Sequence, residues 1–264
     1  MNMFYNKWKT GSRRFRQLLL LLLCSLSANV AMAQFFTEDF DGANTTVMLS
    51  LTGDCVGDND DYFGVLSETS PTNLNVDYGN DDGNFLGAQD TDGGGCGNGT
   101  GNDDVSALLD DIPISGQTGI TLCFDLAEAD ASNGEEDWDA ASSVSIAYSI
   151  DGASFETVLV MEAAGGTNTM PQADCDNDGL GDGDEIGNDF STFCFPVSGT
   201  GTFIDLQFNI SGLDAGDEDV AIDNIQLYSN ESSGTPPDGA GDGCAPPPPP
   251  PGECSMSATV VSQN

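Results

Sequence analysis

The chain has 264 residues, of which 44 are Asp or Glu, five are Lys or Arg and none is His. All five basic residues lie between positions 7 and 16, so the rest of the chain cannot grip phosphate groups, which argues against direct binding of nucleic acid. Without His, Ser-His-Asp, Cys-His and His-metal catalysis are excluded. No carboxylate pair stands out from the acidic background, and we therefore predict that the protein is not an enzyme.

The N-terminal residues have the pattern of a secretory signal peptide. A basic segment precedes an apolar run at 18–23, which is too short for a membrane anchor. Ala31-Met32-Ala33 then supplies the small-x-small pattern of a cleavage site. We predict a signal peptide at 1–33 and a mature chain that a bacterium exports to act outside the cell. No later segment is long and apolar enough to span a membrane.

Removal of residues 1–33 would leave 44 acidic side chains and no basic one, a formal charge of −44. Two explanations are compatible with this charge. The acids form a surface adapted to a salty medium, where screening over about 8 Å weakens their repulsion, or clusters of them bind divalent cations. Disorder is disfavoured because apolar and polar residues alternate along the chain.

The alternation predicts an all-β domain at 34–229, an antiparallel β-sandwich or jelly roll with acidic calcium-binding loops. Val144–Ile150 is typical, since its even positions are large and apolar. A helical period is not convincing anywhere, although Val105–Asp111 is compatible with one helical turn. The predicted strands lie near 35–40, 47–52, 62–67, 84–89, 119–127, 143–150, 155–161, 190–197, 202–210 and 219–228.

Residues 230–264 are predicted to form a Pro-rich linker or tail, because six consecutive prolines occupy 246–251. A linker normally connects two structured parts, and little follows this one. The chain is therefore expected to be a fragment of a longer protein or a truncated relative of one.

Seven cysteines follow residue 33, which in an exported chain indicates disulfide bonds with one cysteine left over. We predict Cys123–Cys194 between two strands, Cys55–Cys96 between two loops and Cys244–Cys254 within the tail. Cys175 would then be the unpaired cysteine.

One motif points directly to a ligand. Residues 174–185 match the pattern D-x-D-x-D-G-x-x-D-x-x-E of a calcium loop. Calcium binds six to eight oxygen atoms, and Gly179 at the sixth position permits the sharp turn that aims side chains inward. Flanking amphipathic helices are missing, so we predict a calcium loop within a β protein. The predicted Ca²⁺ ligands are Asp174, Asp176, Asp178, the Leu180 carbonyl, Asp182 and Glu185.

A weaker acidic group combines the two ends of the domain. Glu38 and Asp39 lie in the first strand and Asp223 in the last, and such strands are often neighbours in a sandwich. These three residues are candidates for a second, structural calcium site. Ordinary solvated strand ends explain them equally well.

Trp138 is open to two interpretations, as a residue that stacks on a sugar ring or as a core residue.

Several segments resemble a family of secreted bacterial β-sandwich modules. The resemblance rests on 36–42, on Trp138-Asp139, on the 174–183 loop and on the closing segment 215–225. These segments are similar to MAM-type and lectin-like jelly rolls. They are also similar to modules at the N-termini of large extracellular nucleases of the endonuclease/exonuclease/phosphatase class. The resemblance implies an accessory module without the nuclease domain, because His is absent and no room follows the linker.

The sequence therefore predicts a secreted, calcium-binding β-sandwich with a non-catalytic role in binding or adhesion. Its expected partner is an extracellular polysaccharide or a cell-surface protein. The alternative is an accessory domain of a secreted nuclease or other hydrolase whose catalytic part is missing from this chain.

Overall fold

The computed structural model describes residues 33–42, 47–57, 59–70, 74, 76–80, 83–93, 96, 104–129, 138–230 and 241–244. Within these residues the regular structure consists of strands alone. Most of the predicted signal peptide, the polyproline run and Cys254 lie outside the described residues. No helix in the described ranges has the length and hydrophobicity needed to cross a bilayer.

Thirteen strands are assigned in the described residues. They are β1 (Ala33–Glu38), β2 (Met48–Thr52), β3 (Cys55–Val56), β4 (Tyr62–Leu66), β5 (Phe85–Gln89), β6 (Val105–Pro113), β7 (Thr121–Ala127), β8 (Ser143–Ile150), β9 (Glu156–Ala163), β10 (Pro171–Ala173), β11 (Ser191–Pro196), β12 (Phe203–Ser211) and β13 (Asp219–Ser229).

The strands form two antiparallel sheets. The first has the order β11-β7-β13-β5-β4-β3, with β1 also paired to β13, and the second has the order β10-β9-β8-β12-β6-β2. Their inner faces share one apolar core, which includes Phe124 of β7 and Phe208 of β12. Stacking two sheets in this way buries one face of each, because side chains alternate along a strand. The predicted antiparallel β-sandwich is confirmed.

One predicted element is wrong. Val105–Asp111, considered as a helical turn, belongs to strand β6. The side chains that face the core are those of Val105, Ala107 and Leu109. A register shift opposite Ile204 and Leu206 then returns Ile112 to the inner face. Asp111 has a positive φ of 59° at this irregularity. The bulge interrupts the two-residue period, which hides the strand in the sequence.

Two of the three predicted disulfides are confirmed, namely Cys55–Cys96 and Cys123–Cys194. The third prediction is wrong, because Cys244 is bonded to Cys175. Residues 241–244, here called the C-terminal strap, return to the domain and lie beside β11. The Cys194 N–H donates to the Gly241 carbonyl at 2.9 Å, and the Asp184 N–H donates to the Gly243 carbonyl at 2.7 Å.

Candidate functional site

The acidic loop, residues 174–185, follows strand β10 and is fastened to the second sheet by its backbone. The Asp174 N–H donates to the Val160 carbonyl at 2.9 Å, and the Gly181 N–H donates to the Ala163 carbonyl at 3.0 Å. A Cβ atom on Gly181 would lie only 2.5 Å from the Glu162 carbonyl oxygen. The loop therefore approaches β9 so closely that only glycine fits at this position.

Three carboxylates of the acidic loop converge. Asp174, Asp176 and Asp178 each offer an oxygen atom, and these atoms all lie within 4.8 Å of one another. The Asp174 carboxylate accepts hydrogen bonds from Asp178 N–H at 3.3 Å and from Gly179 N–H at 3.0 Å. Gly179 has a φ of 87°, a left-handed conformation that suits glycine. The turn at Gly179 thus folds the loop back over Asp174.

Asp182 belongs to the same electrostatic environment. Its Oδ1 accepts a hydrogen bond from the Cys175 N–H at 2.9 Å. The pKa of Asp176 is raised above its ordinary value, first by the charge of Asp178, then by desolvation and by the charges of Asp182 and Asp174. Since no basic side chain lies in the described residues beyond 33, this repulsion is relieved by protons or by cations alone.

The two remaining predicted ligands of the acidic loop are Leu180 and Glu185. The Leu180 N–H donates to Asp178 Oδ1 at 3.1 Å, and the Leu180 side chain is exposed. Glu185 forms an isolated β-bridge with Gln172 and is not in the group of oxygens within 4.8 Å. It lines a neighbouring cavity of about 300 Å³ together with Ser191.

The second predicted group lies where β1 meets β13. These strands are neighbours as expected, with Glu38 opposite Ile225. Glu38 is buried, and its Oε1 accepts a hydrogen bond from the Phe40 N–H at 3.0 Å. Asp39 is exposed, and its Oδ1 accepts from the Asp41 N–H at 3.2 Å.

Asp223, the third member of that group, is buried on β13 directly opposite Asp125 of β7. The Asn224 side-chain amide donates to Asp125 Oδ2 at 3.0 Å and approaches Asp223 Oδ2 at 3.5 Å. One neutral amide therefore separates two carboxylates. In the described residues, Glu38, Asp39 and Asp223 do not form a group with oxygens all within 4.8 Å.

Two acidic groups were not anticipated from the sequence. Asp110 and Asp111 at the β6 bulge meet Asp205 of β12, and Asp139, Asp214 and Glu218 converge from the loop before β8 and the loop between β12 and β13. The pair Asp110-Asp111 is adjacent in the sequence. Its partner Asp205 is distant in the sequence, and only the pairing of β6 with β12 brings the three residues together. Burial raises the pKa of Asp205, and Asp110 and Asp151 add to the shift.

Trp138 is a core residue. It is fully buried, and its indole N–H donates to the Asp219 carbonyl at 3.0 Å. The alternative of a sugar-stacking Trp138 is therefore wrong, because no face of the ring is accessible.

No protein-family model matches the chain, and no curated protein sequence matches it. Solved structures share its architecture at low identity. The K3 cleaved adhesin domain of Lys-gingipain from Porphyromonas gingivalis is 15% identical with a TM-score of 0.43, covering 75% of this chain and 99% of that one. The CBM22-1 xylan-binding domain from Paenibacillus barcinonensis Xyn10C is 8% identical with a TM-score of 0.37, covering 77% and 98%.

A Stig cyclase, Fisc from Fischerella sp. TAU, is similar to the same degree. It is 13% identical with a TM-score of 0.37, and the match covers 75% of this chain and 98% of that chain. An adhesin domain, a sugar-binding domain and a cyclase thus resemble this chain about equally. Likenesses this distant do not assign a family, a ligand or an activity to it.

Proposed function

We propose that this protein is a non-catalytic extracellular binding module whose acidic loop is completed by Ca²⁺. The observation that carries the proposal is the convergence of Asp174, Asp176 and Asp178 at the first, third and fifth positions of a calcium-loop sequence. Asp182, at the ninth position, contributes to the same field. Four carboxylates without a basic neighbour repel one another, and a bound cation would relieve this repulsion.

The donor atoms favour calcium over other metals. Every candidate ligand is an oxygen atom, and the cysteine in the loop is bonded to Cys244 and is not available as a thiolate. Zinc and copper sites generally use nitrogen or sulfur ligands. Magnesium demands a small octahedral shell, whereas calcium accepts six to eight oxygens in a flexible loop.

The binding role rests on composition and on disulfides. Three disulfide bonds in the described residues are typical of a protein that acts outside the cytoplasm. The chain offers no basic side chain beyond residue 16, so its partner is expected to be an uncharged polysaccharide or a cell-surface protein. A second, structural Ca²⁺ is proposed between β1 and β13, with the ligands Glu38, Asp39 and Asp223.

An accessory role beside an enzyme is the second candidate. The run of six prolines that begins two residues after the C-terminal strap is the observation that favours it, since such runs separate domains as semi-rigid spacers. A catalytic domain encoded in the same reading frame, beyond the prolines, would establish this role.

Thermal unfolding of the exported chain in Ca²⁺ and in EDTA tests the calcium site. At about 100 times its dissociation constant, calcium stabilises the folded state by about 2.7 kcal/mol. Asp176→Ala should remove most of this gain, because it removes the ligand oxygens from the third position of the loop. Asp184→Ala is the matched control, since it removes the same side chain from a non-ligand position of the same loop.

The result separates the two explanations of the acidic charge. Equal calcium shifts in both variants would mean that the acids respond to ionic strength alone and that the loop is not a site. Glu185→Gln, measured in parallel, determines whether the twelfth position contributes a ligand. If it does, the substitution should lower calcium affinity without changing the Tm in EDTA.

A further inference from the structure

A cleft opens at the side of the sandwich, between the two sheets. Strand β10 pairs only with residues 161–163 of β9, so the preceding part of β9 has an uncovered edge. Phe195 of β11 faces this edge from the other sheet. The C-terminal strap and the start of the acidic loop close the ends, and the cleft measures about 350 Å³.

The walls of this lateral cleft combine two kinds of surface. Val158, Phe195 and the Cys175–Cys244 disulfide form its apolar part. Asp174, Asn177, Asp242 and Thr157 supply carboxylate, amide and hydroxyl groups. Small-ligand sites typically combine apolar walls with a few polar groups in about 300–1,000 Å³, and the lateral cleft is at the small end of this range.

We propose that the lateral cleft binds a single uncharged sugar residue at the end or branch of a glycan. The proposal rests on the binding role proposed above and gives that role a site. Sugar hydroxyls would donate to the carboxylates of Asp174 and Asp242, and the Asn177 amide would donate to a ring or hydroxyl oxygen. The C–H face of the sugar would pack on Val158 and Phe195.

The charge of the lateral cleft selects against acidic sugars. Two carboxylates line it, and Asp176 and Asp178 lie in the adjoining acidic loop, while no basic side chain is present among the described residues beyond 33. One Ca²⁺ in the acidic loop offsets only part of the charge of its four carboxylates and of Asp242, so a uronate would bring its own carboxylate into a potential that stays negative. An uncharged sugar avoids this cost and still satisfies the acceptors.

The C-terminal strap is an integral wall of the lateral cleft. Asp242 and Cys244 line the cleft from the strap side. Gly243, with a φ of 76°, fits so tightly that an added Cβ would lie 3.0 Å from the Ala173 side chain. The strap is thus held in place by packing, by the disulfide and by the hydrogen bond from Asp184, and the cleft is expected to be preformed.

Saturation-transfer NMR on the exported chain in Ca²⁺ tests the proposal. The probes are methyl β-d-glucopyranoside, methyl β-d-galactopyranoside and d-galacturonate. Thr157→Trp places a large side chain at an exposed position of the cleft mouth. Ser191→Trp, which adds the same side chain to the cavity on the other side of the strap, is the matched control. Amide spectra establish that both variants are folded.

We expect at least one neutral glycoside to bind, with affinity at least tenfold lower in Thr157→Trp and changed less than twofold in Ser191→Trp. The proposal is overturned if neither glycoside shows transfer or if galacturonate binds more tightly than both. Binding that survives Thr157→Trp also overturns the cleft assignment while the general binding role stands. Failure of the general role is recognised separately, because the chain would then migrate without retardation through gels that contain neutral polysaccharides in affinity electrophoresis.

Discussion

Cys175, the second residue of the acidic loop, is bonded to Cys244 in the C-terminal strap, 69 positions further along the chain. The backbone N–H of Cys175 also donates to Asp182 Oδ1 at 2.9 Å. One residue therefore connects the strap to a predicted calcium ligand. The acidic loop is held in a folded arrangement by a covalent bond that originates outside it.

This connection predicts that the Cys175–Cys244 disulfide supports calcium affinity. Replacing both cysteines with Ser should cost about 2–4 kcal/mol of stability, as for comparable disulfides, and should weaken calcium binding at least tenfold by freeing the loop. Calorimetric titration with Ca²⁺ measures the second effect. Cys123→Ser with Cys194→Ser is the control, since this disulfide closes a span of similar length, 71 positions, and neither of its cysteines belongs to the acidic loop. Equal losses of calcium affinity in both double variants would contradict the prediction.

The fold was largely predictable because strands such as β8 and β12 alternate over most of their length. β8 has the inward residues Val144, Ile146 and Tyr148, and its observed ends coincide with the predicted ones. β3 and β10 were missed because two or three residues are too few to display a period. β6 was missed because its bulge at Asp111 shifts the period.

The candidate site was predictable only where it is local in sequence. Asp174, Asp176 and Asp178 share one turn, so their spacing predicts their proximity. The strap was not predictable, because its contact with β11 depends on a single bridge, Phe193 to Gly241. The lateral cleft depends on where β10 ends and on this strap, and neither leaves a pattern in the sequence.

Trp138→Phe should destabilise the protein by about 2–4 kcal/mol. The substitution removes the indole hydrogen bond to the Asp219 carbonyl and opens a cavity beside the core. Urea denaturation measures the loss. Phe203→Leu, at a side chain that is 40% exposed, should change stability by less than about 0.5 kcal/mol. A Trp138→Phe variant as stable as the parent would mean that the indole N–H bond contributes nothing.

Stability should fall as the pH rises from about 4 to about 7 in EDTA. Burial, followed by interactions with Asp61 and Asp92, raises the pKa of Asp90 from 3.8 to about 7. Between these two values the folded state binds more protons than the unfolded state, so each rise in pH favours unfolding. Asp90→Asn should flatten this slope and raise the Tm at the alkaline end. A slope that Asp90→Asn leaves unchanged would assign the dependence to other carboxylates.

Glu218→Gln should be among the most destabilising single changes in the domain. The buried carboxylate accepts four hydrogen bonds, from Asp139 N–H at 2.9 Å, Ser142 O–H at 2.8 Å, Asp214 N–H at 2.7 Å and Ala215 N–H at 3.1 Å. An amide keeps only one acceptor oxygen, and its NH₂ group would face two of these donors.

Leaving buried donors without acceptors costs about 1–3 kcal/mol each, so the loss from Glu218→Gln should reach about 3 kcal/mol. Glu156→Gln is the control, because that side chain is exposed and the same atom is replaced. Chemical denaturation of the two variants gives the comparison. Since burial raises the pKa of Glu218, the two variants should be compared at several pH values from neutral upward. Similar stabilities for the two variants would show that the two loops are held by packing and that their shared carboxylate is dispensable.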